Sequence, residues 1–193
     1  MKIKEQIEKI FSDSIQVKKE TLASNLKNIE RSVKVITRSF KAGGKLLLFG
    51  NGGSAADSQH IAAEFIGRFQ KERRSLPAIA LTTDTSILTS LGNDYSYDVI
   101  FARQVEGLAT KKDVVMGIST SGESENVIQG IKKAKEIGAK TITLTGNKGG
   151  SLGKLADIHL NVPSSSTARI QESHICMAHA ICELVEKEFS GTI

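Results

Sequence analysis

His60 and Glu64 stand four residues apart in QHIAAE, a spacing that places an imidazole and a carboxylate on one face of a helix. Two side chains so placed can ligate one metal ion, or serve as a base and the group that orients it. A lone histidine on a helix is usually structural. This pair, however, lies one to three turns downstream of GNGGS at residues 50–54, a glycine-rich loop that follows an apolar run. Such a loop presents free backbone N–H groups and the positive end of a helix to an anion. Gly50, Gly52 and Ala55 satisfy the dinucleotide fingerprint only loosely. The fingerprint also wants an acidic residue about 20 positions on for a ribose, and Asp84, which ends the next strand segment, lies more than 30 positions after Gly50.

A second loop of this kind is richer in hydroxyls. The run DVVMGI passes into STSGES, where Ser119, Thr120, Ser121 and Ser124 stand beside the amides of a helix expected to begin near Glu125. One serine suffices to cap a helix, and four hydroxyls within six residues exceed that need, so a monophosphate is the fitting ligand. Neither loop carries the lysine of GxxxxGK[ST], which points to a small phosphorylated metabolite rather than a nucleoside triphosphate.

The last helical stretch adds Gln171, Glu172, His174 and His179, so three of the four histidines fall in two helices. The fourth, His159, sits in the strand DIHLNV and reads as structural. Gln171 and His179 are eight residues apart, about 12 Å along a helix axis. One ion holds both comfortably only if Gln171 stands at a frayed helix start or the two come from different chains.

The elements that must position these groups are legible from periodicity. KLLLF at 45, PAIAL at 77, DVVMGI at 113, TITLT at 141 and DIHLNV at 157 are short aliphatic runs separated by helical segments. They predict an α/β domain with a doubly wound, five-stranded parallel sheet flanked by helices. Ligands bind such sheets at the carboxyl ends of the strands, so the loops after Phe49, Leu81, Ile118, Thr145 and Val162 are where a site belongs. Residues 1–42 carry no strand signal. Leu22, Leu26, Ile29, Val33, Ile36 and Phe40 form an a/d seam there, either a core-facing stripe or a helix-to-helix oligomer contact. Gly43 and Gly44 supply the stop. A long terminal helix is expected from about Thr167 to Phe189, capped by PSSST.

Residues 1–193 are expected to form one domain, with 1–42 a helical segment used in oligomer packing. No apolar run is long enough for a membrane span, and the charged, amphipathic start is not a secretory signal. The net charge of +5 comes from lysines scattered among glutamates, which reads as a solvated surface and not a nucleic-acid footprint. Cys176 and Cys182 point about 240° apart on one helix and cannot bridge within it, a pattern expected of a reduced, cytoplasmic protein.

STSGES in a five-stranded α/β domain resembles the sugar isomerase (SIS) domain. Within that family, GNGGSAADSQHIAAE, LTTDTSILTSLGND, ISTSGES and ARIQESHICMAHA are similar, in order, to the phosphoheptose isomerases, and the resemblance covers nearly the whole chain. It implies conversion of D-sedoheptulose 7-phosphate to D-glycero-D-manno-heptose 7-phosphate, the first step toward the heptoses of bacterial surface polysaccharides. It also implies one zinc ion per subunit and a homotetramer with active sites at subunit interfaces. By matched position, the resemblance makes His60, Glu64, Gln171 and His179 metal ligands. It makes Asn51, Gly52, Gly53, Glu64, Asn93, Asp94, Ser119, Thr120, Ser121, Ser124 and Gln171 substrate contacts, and Glu64 and His179 the catalytic pair. One departure is Glu123, where the family often carries asparagine or another small polar residue; it adds negative charge near the expected phosphate loop. The competing reading is a non-catalytic SIS-domain binding protein of the kind that associates with the bacterial replication initiator. Glu64 and His179 separate the two, because a protein with no proton to move has no reason to keep them.

Overall fold

The computed structural model describes residues 2–191. All five expected strands form: β1 (Leu46–Gly50), β2 (Ala78–Ala80), β3 (Val114–Ser119), β4 (Lys140–Gly146) and β5 (Ile158–Val162). They pair in parallel in the order β2-β1-β3-β4-β5. Among the described residues seven α-helices accompany them: α1 (Ile3–Lys41), α2 (Gly53–Ile66), α3 (Thr85–Asp94), α4 (Ile100–Leu108), α5 (Glu125–Ile137), α6 (Gly150–Leu155) and α7 (Thr167–Lys187). A 3-10 turn at Tyr97–Val99 leads into α4.

Alternate residues of the strands feed two cores, as the period of two demands. Leu46, Leu48, Met116, Ile142 and Leu144 point to the face covered by α1, α2 and α7, where they meet Ile36, Phe40, Phe65, Met177 and Ile181. Leu47, Phe49 and Val115 point the other way, against Ile100, Phe101, Val127 and Ile131 of α4 and α5. Both faces of the central strands are thus buried, which is why β1 and β3 read as near-continuous apolar runs. Below the sheet, Lys45 is not in β1; its backbone N–H and its ammonium both donate to the buried carboxylate of Asp113, each at 2.8 Å.

The 39-residue α1 is about 58 Å long. Its seam divides in two: Ile29, Ile36 and Phe40 are buried in the core, whereas Leu22 and Leu26 are 56% and 64% exposed. Near the start of the helix Ile7, Phe11 and Ile15 are exposed as well. The terminal helix runs as expected except at its ends. It stops at Lys187, and although Ser166 occupies the N-cap position its hydroxyl makes no capping hydrogen bond. Cys176 is exposed and Cys182 buried, and neither is bridged. No helix among the described residues is long and apolar enough to cross a membrane.

Candidate functional site

In a sheet of this order the chain reverses direction of winding between β1 and β3, and the loops leaving those neighbours open a crevice. Gly50 pairs with Ile118, so GNGGS and STSGES emerge side by side. The side chains of Asn51 and Asn126 join them by reciprocal amide hydrogen bonds of 2.9 and 3.0 Å. Gly50 is required by this closeness, because a Cβ there would lie 2.7 Å from the Ile118 carbonyl oxygen.

In the second loop the hydroxyls gather into one cluster. Ser119 Oγ lies 2.9 Å from Ser124 Oγ and 3.3 Å from Ser121 Oγ. Gly122 N–H donates to Ser119 Oγ and Glu123 N–H to Ser121 Oγ. Ser124 is the N-cap of α5 yet makes no side-chain cap, so its hydroxyl is not consumed by the helix. Thr120 is half-buried beside them. The carboxylate of Glu123 accepts from Ser151 N–H at 2.9 Å, turning its charge onto the start of α6.

The first loop opens α2, which carries the other half of the site. Glu64 Oε1 lies 3.0 Å from His60 Nε2, and His179 Nε2 of α7 lies 3.2 Å from the same His60 nitrogen. One ligand atom from each of the three residues falls within 4.8 Å of the others. Two ring nitrogens bound tetrahedrally to one zinc would stand about 3.3 Å apart, so the two imidazoles already have the separation such an ion requires.

The parallel course of α2 and α7 explains how residues far apart in sequence meet. Gln171, at the start of α7, lies against Gly53 at the start of α2, where a Cβ would come 2.3 Å from its Nε2. Two turns later His179 reaches His60. Gln171 is the fifth residue of a continuous helix, so the frayed start considered for it does not occur. Its side chain stands beside Gly53 where α2 begins, and His60, Glu64 and His179 bring their ligand atoms together further along the same two helices. Gly52, with φ +56°, shapes the turn ahead of α2. Asn93 and Asp94 close the last turn of α3, exposed and hydrogen-bonded to each other at 2.8 Å. Beyond them Tyr97 donates to Asn51 Oδ1 at 3.4 Å.

His174, His159 and Glu172 belong to the scaffold. His174 is buried, its Nε2 directed at the Thr145 carbonyl at 2.9 Å, and burial pushes its pKa down to about 4. His159 is partly buried beside Thr145 Oγ1 at 2.6 Å, and burial lowers its pKa too, in keeping with a structural role. Glu172 accepts from Ser14 of α1 at 2.7 Å.

Several residues near the cluster escaped the sequence. Asp57 is half-buried one turn before His60, and its Oδ2 has no hydrogen-bond partner. Burial raises its pKa, against the opposing pull of His60. Its i,i+3 spacing to His60 was a usable signal. Phe69, Arg73 and Glu186 carried none, because only folding brings the end of α7 to the loop after α2.

A family model for the SIS domain matches residues 10–146. The chain is 56% identical over 183 residues to the phosphoheptose isomerase of Aquifex aeolicus, covering 95% of this chain and 96% of that one. Among solved structures it is similar to the phosphoheptose isomerase of Neisseria gonorrhoeae (TM-score 0.91, 42% identity, 96% of this chain and 100% of that one). It is similar also to a phosphoheptose isomerase from Francisella tularensis (TM-score 0.93, 38% identity, 97% and 100%).

Proposed function

Because this chain belongs to the SIS-domain family and, within it, to the phosphoheptose isomerases, we propose that it interconverts D-sedoheptulose 7-phosphate and D-glycero-D-manno-heptose 7-phosphate at the crevice between β1 and β3. The observation that supports this reading is a carboxylate and two imidazoles within 4.8 Å of one another, two of them on the helix opened by the loop that lies beside the serine cluster. Moving a carbonyl from C2 to C1 requires removal of a proton from C1, an enediol-like intermediate, and return of a proton to C2.

Each residue has a task in that sequence. Ser119, Thr120, Ser121 and Ser124, with the first amides of α5, hold the phosphate. Asn51, Gly52 and Gly53 shape the pocket for the sugar hydroxyls, and Asn93, Asp94 and Gln171 complete the contacts. Glu64 takes the C1 proton and delivers one to C2. His179 is the acid, giving a proton to oxygen as the ring opens and the carbonyl shifts. His60, Glu64 and His179 would hold a zinc ion, with the amide oxygen of Gln171 joining them on assembly of a homotetramer whose sites lie at subunit interfaces. Bound there, zinc supplies Lewis-acid polarisation of the substrate oxygens. The chain would act in the cytoplasm as one domain, with α1 committed to subunit packing.

The test is turnover of sedoheptulose 7-phosphate by the purified protein, followed by aldose formation with and without chelator. Activity that chelator abolishes and added zinc restores supports the proposal. No aldose under any condition contradicts it.

A further inference from the structure

The loop between α2 and β2 is tied down by a buried ion pair to which none of the roles above is assigned. Glu186 lies on α7, seven residues and two turns past His179 and therefore on the same helix face. Its carboxylate accepts three consecutive backbone N–H groups, from Phe69 at 2.8 Å, Gln70 at 2.7 Å and Lys71 at 2.9 Å. Arg73 Nε stands 3.4 Å from the same carboxylate, with the two side chains 0% and 2% exposed. Burial opposes the charge on Glu186, but the three amides and Arg73 outweigh it and hold the carboxyl below its usual range.

Arg73 then reaches back to the end of α2. Its guanidinium donates to the carbonyls of Glu64 at 2.8 Å, Gly67 at 2.9 Å and Arg74 at 3.1 Å. The final turn of a helix leaves its carbonyls without partners, so a cation here caps α2 at the residue that carries the Glu64 carboxylate. On the other side of the clamp, the Phe69 whose N–H is fixed by Glu186 sets its ring 5.4 Å from the His179 imidazole, tilted by 41°. A buried ion pair adds little net stability over apolar residues of the same size, so what it supplies here is geometry.

We propose that Arg73 and Glu186 are positioning residues that lock two members of the metal and proton-transfer cluster in register, Glu64 through its own carbonyl and His179 through the ring of Phe69. This rests on the cluster's role given above, but the clamp itself can be tested without turnover.

Glu186→Gln keeps size and shape but puts an NH2, which cannot accept, in place of one of the two oxygens that serve Phe69 on one side and Gln70 and Lys71 on the other, and it removes the charge facing Arg73. In metal-free protein the ring resonances of His179, identified by their loss in His179→Gln, are expected to shift. Zinc affinity, measured by competition with a chromophoric chelator, should weaken about tenfold or more, the usual consequence of losing support behind a ligand. In the zinc-loaded protein kcat should fall by a similar factor with KM for the sugar phosphate within twofold. Should Glu186→Gln fail to fold, Arg73→Lys decides the matter, since it keeps a cation beside Glu186 but loses the fork that reaches the Glu64 and Gly67 carbonyls; the same losses of zinc affinity and kcat are expected. Unshifted His179 resonances in Glu186→Gln, or zinc affinity and kcat within twofold of wild type in either folded variant, would overturn the proposal. A wild-type protein without turnover would instead overturn the isomerase reading and leave the metal-free spectra to decide the clamp.

Discussion

His60, Glu64 and His179 converge because each occupies a helix position fixed by packing rather than by its own chemistry. The i,i+4 pair was visible in the sequence, since it follows from helix geometry alone. Its partner His179 lies 119 positions away and was implied only by family resemblance. His174 shows the converse. It stands near Gln171 in the sequence, yet its side chain is buried against Thr145, and burial holds its pKa at about 4, below the ordinary histidine value of 6.5. Such a group stabilises the fold fully above pH 6.5. Below that the unfolded imidazole binds a proton that the native one refuses, and the contribution is lost as pH falls toward 4. The loss should reach about 3 kcal/mol. Denaturant unfolding of wild type and His174→Gln from pH 7 to pH 4 measures it, and the variant is expected to show a much flatter dependence.

At the scale of elements, the parallel order β2-β1-β3-β4-β5 sets two loops side by side, and glycine makes their closeness possible. Gly122 has φ +73°, and a Cβ there would lie 2.3 Å from the Gly149 carbonyl oxygen. Gly43 has a similar φ of +76° with nothing within 4 Å. Gly43→Ala should therefore cost only the left-handed penalty, about 1 kcal/mol. Gly122→Ala should cost clearly more and also raise KM for the sugar phosphate by displacing the serine cluster; thermal melts and steady-state kinetics of the two variants compare them. All five strands were readable: β1 and β3, buried on both faces, are near-continuous apolar runs, while β4 and β5 alternate aliphatic residues with Thr, His and Asn. What escaped was long-range: the Asn51–Asn126 link, the side of α2 that Gln171 meets, and the contact of Glu186 with the loop after α2. Periodicity reports which face of an element is apolar, but not which element lies opposite it. The expected serine cap on α7 also failed, because Ser166 holds the right position with its hydroxyl unused.

For the whole molecule, α1 is the element that leaves the most large apolar side chains exposed among the described residues. Its later half is part of the core, while Phe11 and Leu22 are 67% and 56% exposed and Leu26 lines an apolar groove against Leu184 of α7. Apolar side chains repeated along one helix are expected to be covered by other copies of the chain. Sedimentation should give about four times the 20.8 kDa chain mass, and Leu22→Glu with Phe11→Glu should yield smaller species with reduced activity, as the proposed sharing of sites between subunits requires. The claim that joins all scales is that this crevice moves a proton between two carbons of a phosphorylated sugar. Its most direct measurement holds the zinc-loaded protein with sedoheptulose 7-phosphate in deuterated water through many turnovers and reads the product by NMR. Solvent deuterium should accumulate at C2 of the aldose, and Glu64→Gln should slow its appearance by about 10²-fold or more. An aldose formed at the wild-type rate with no deuterium at C2, or deuterium incorporation unaffected by Glu64→Gln, would contradict the account.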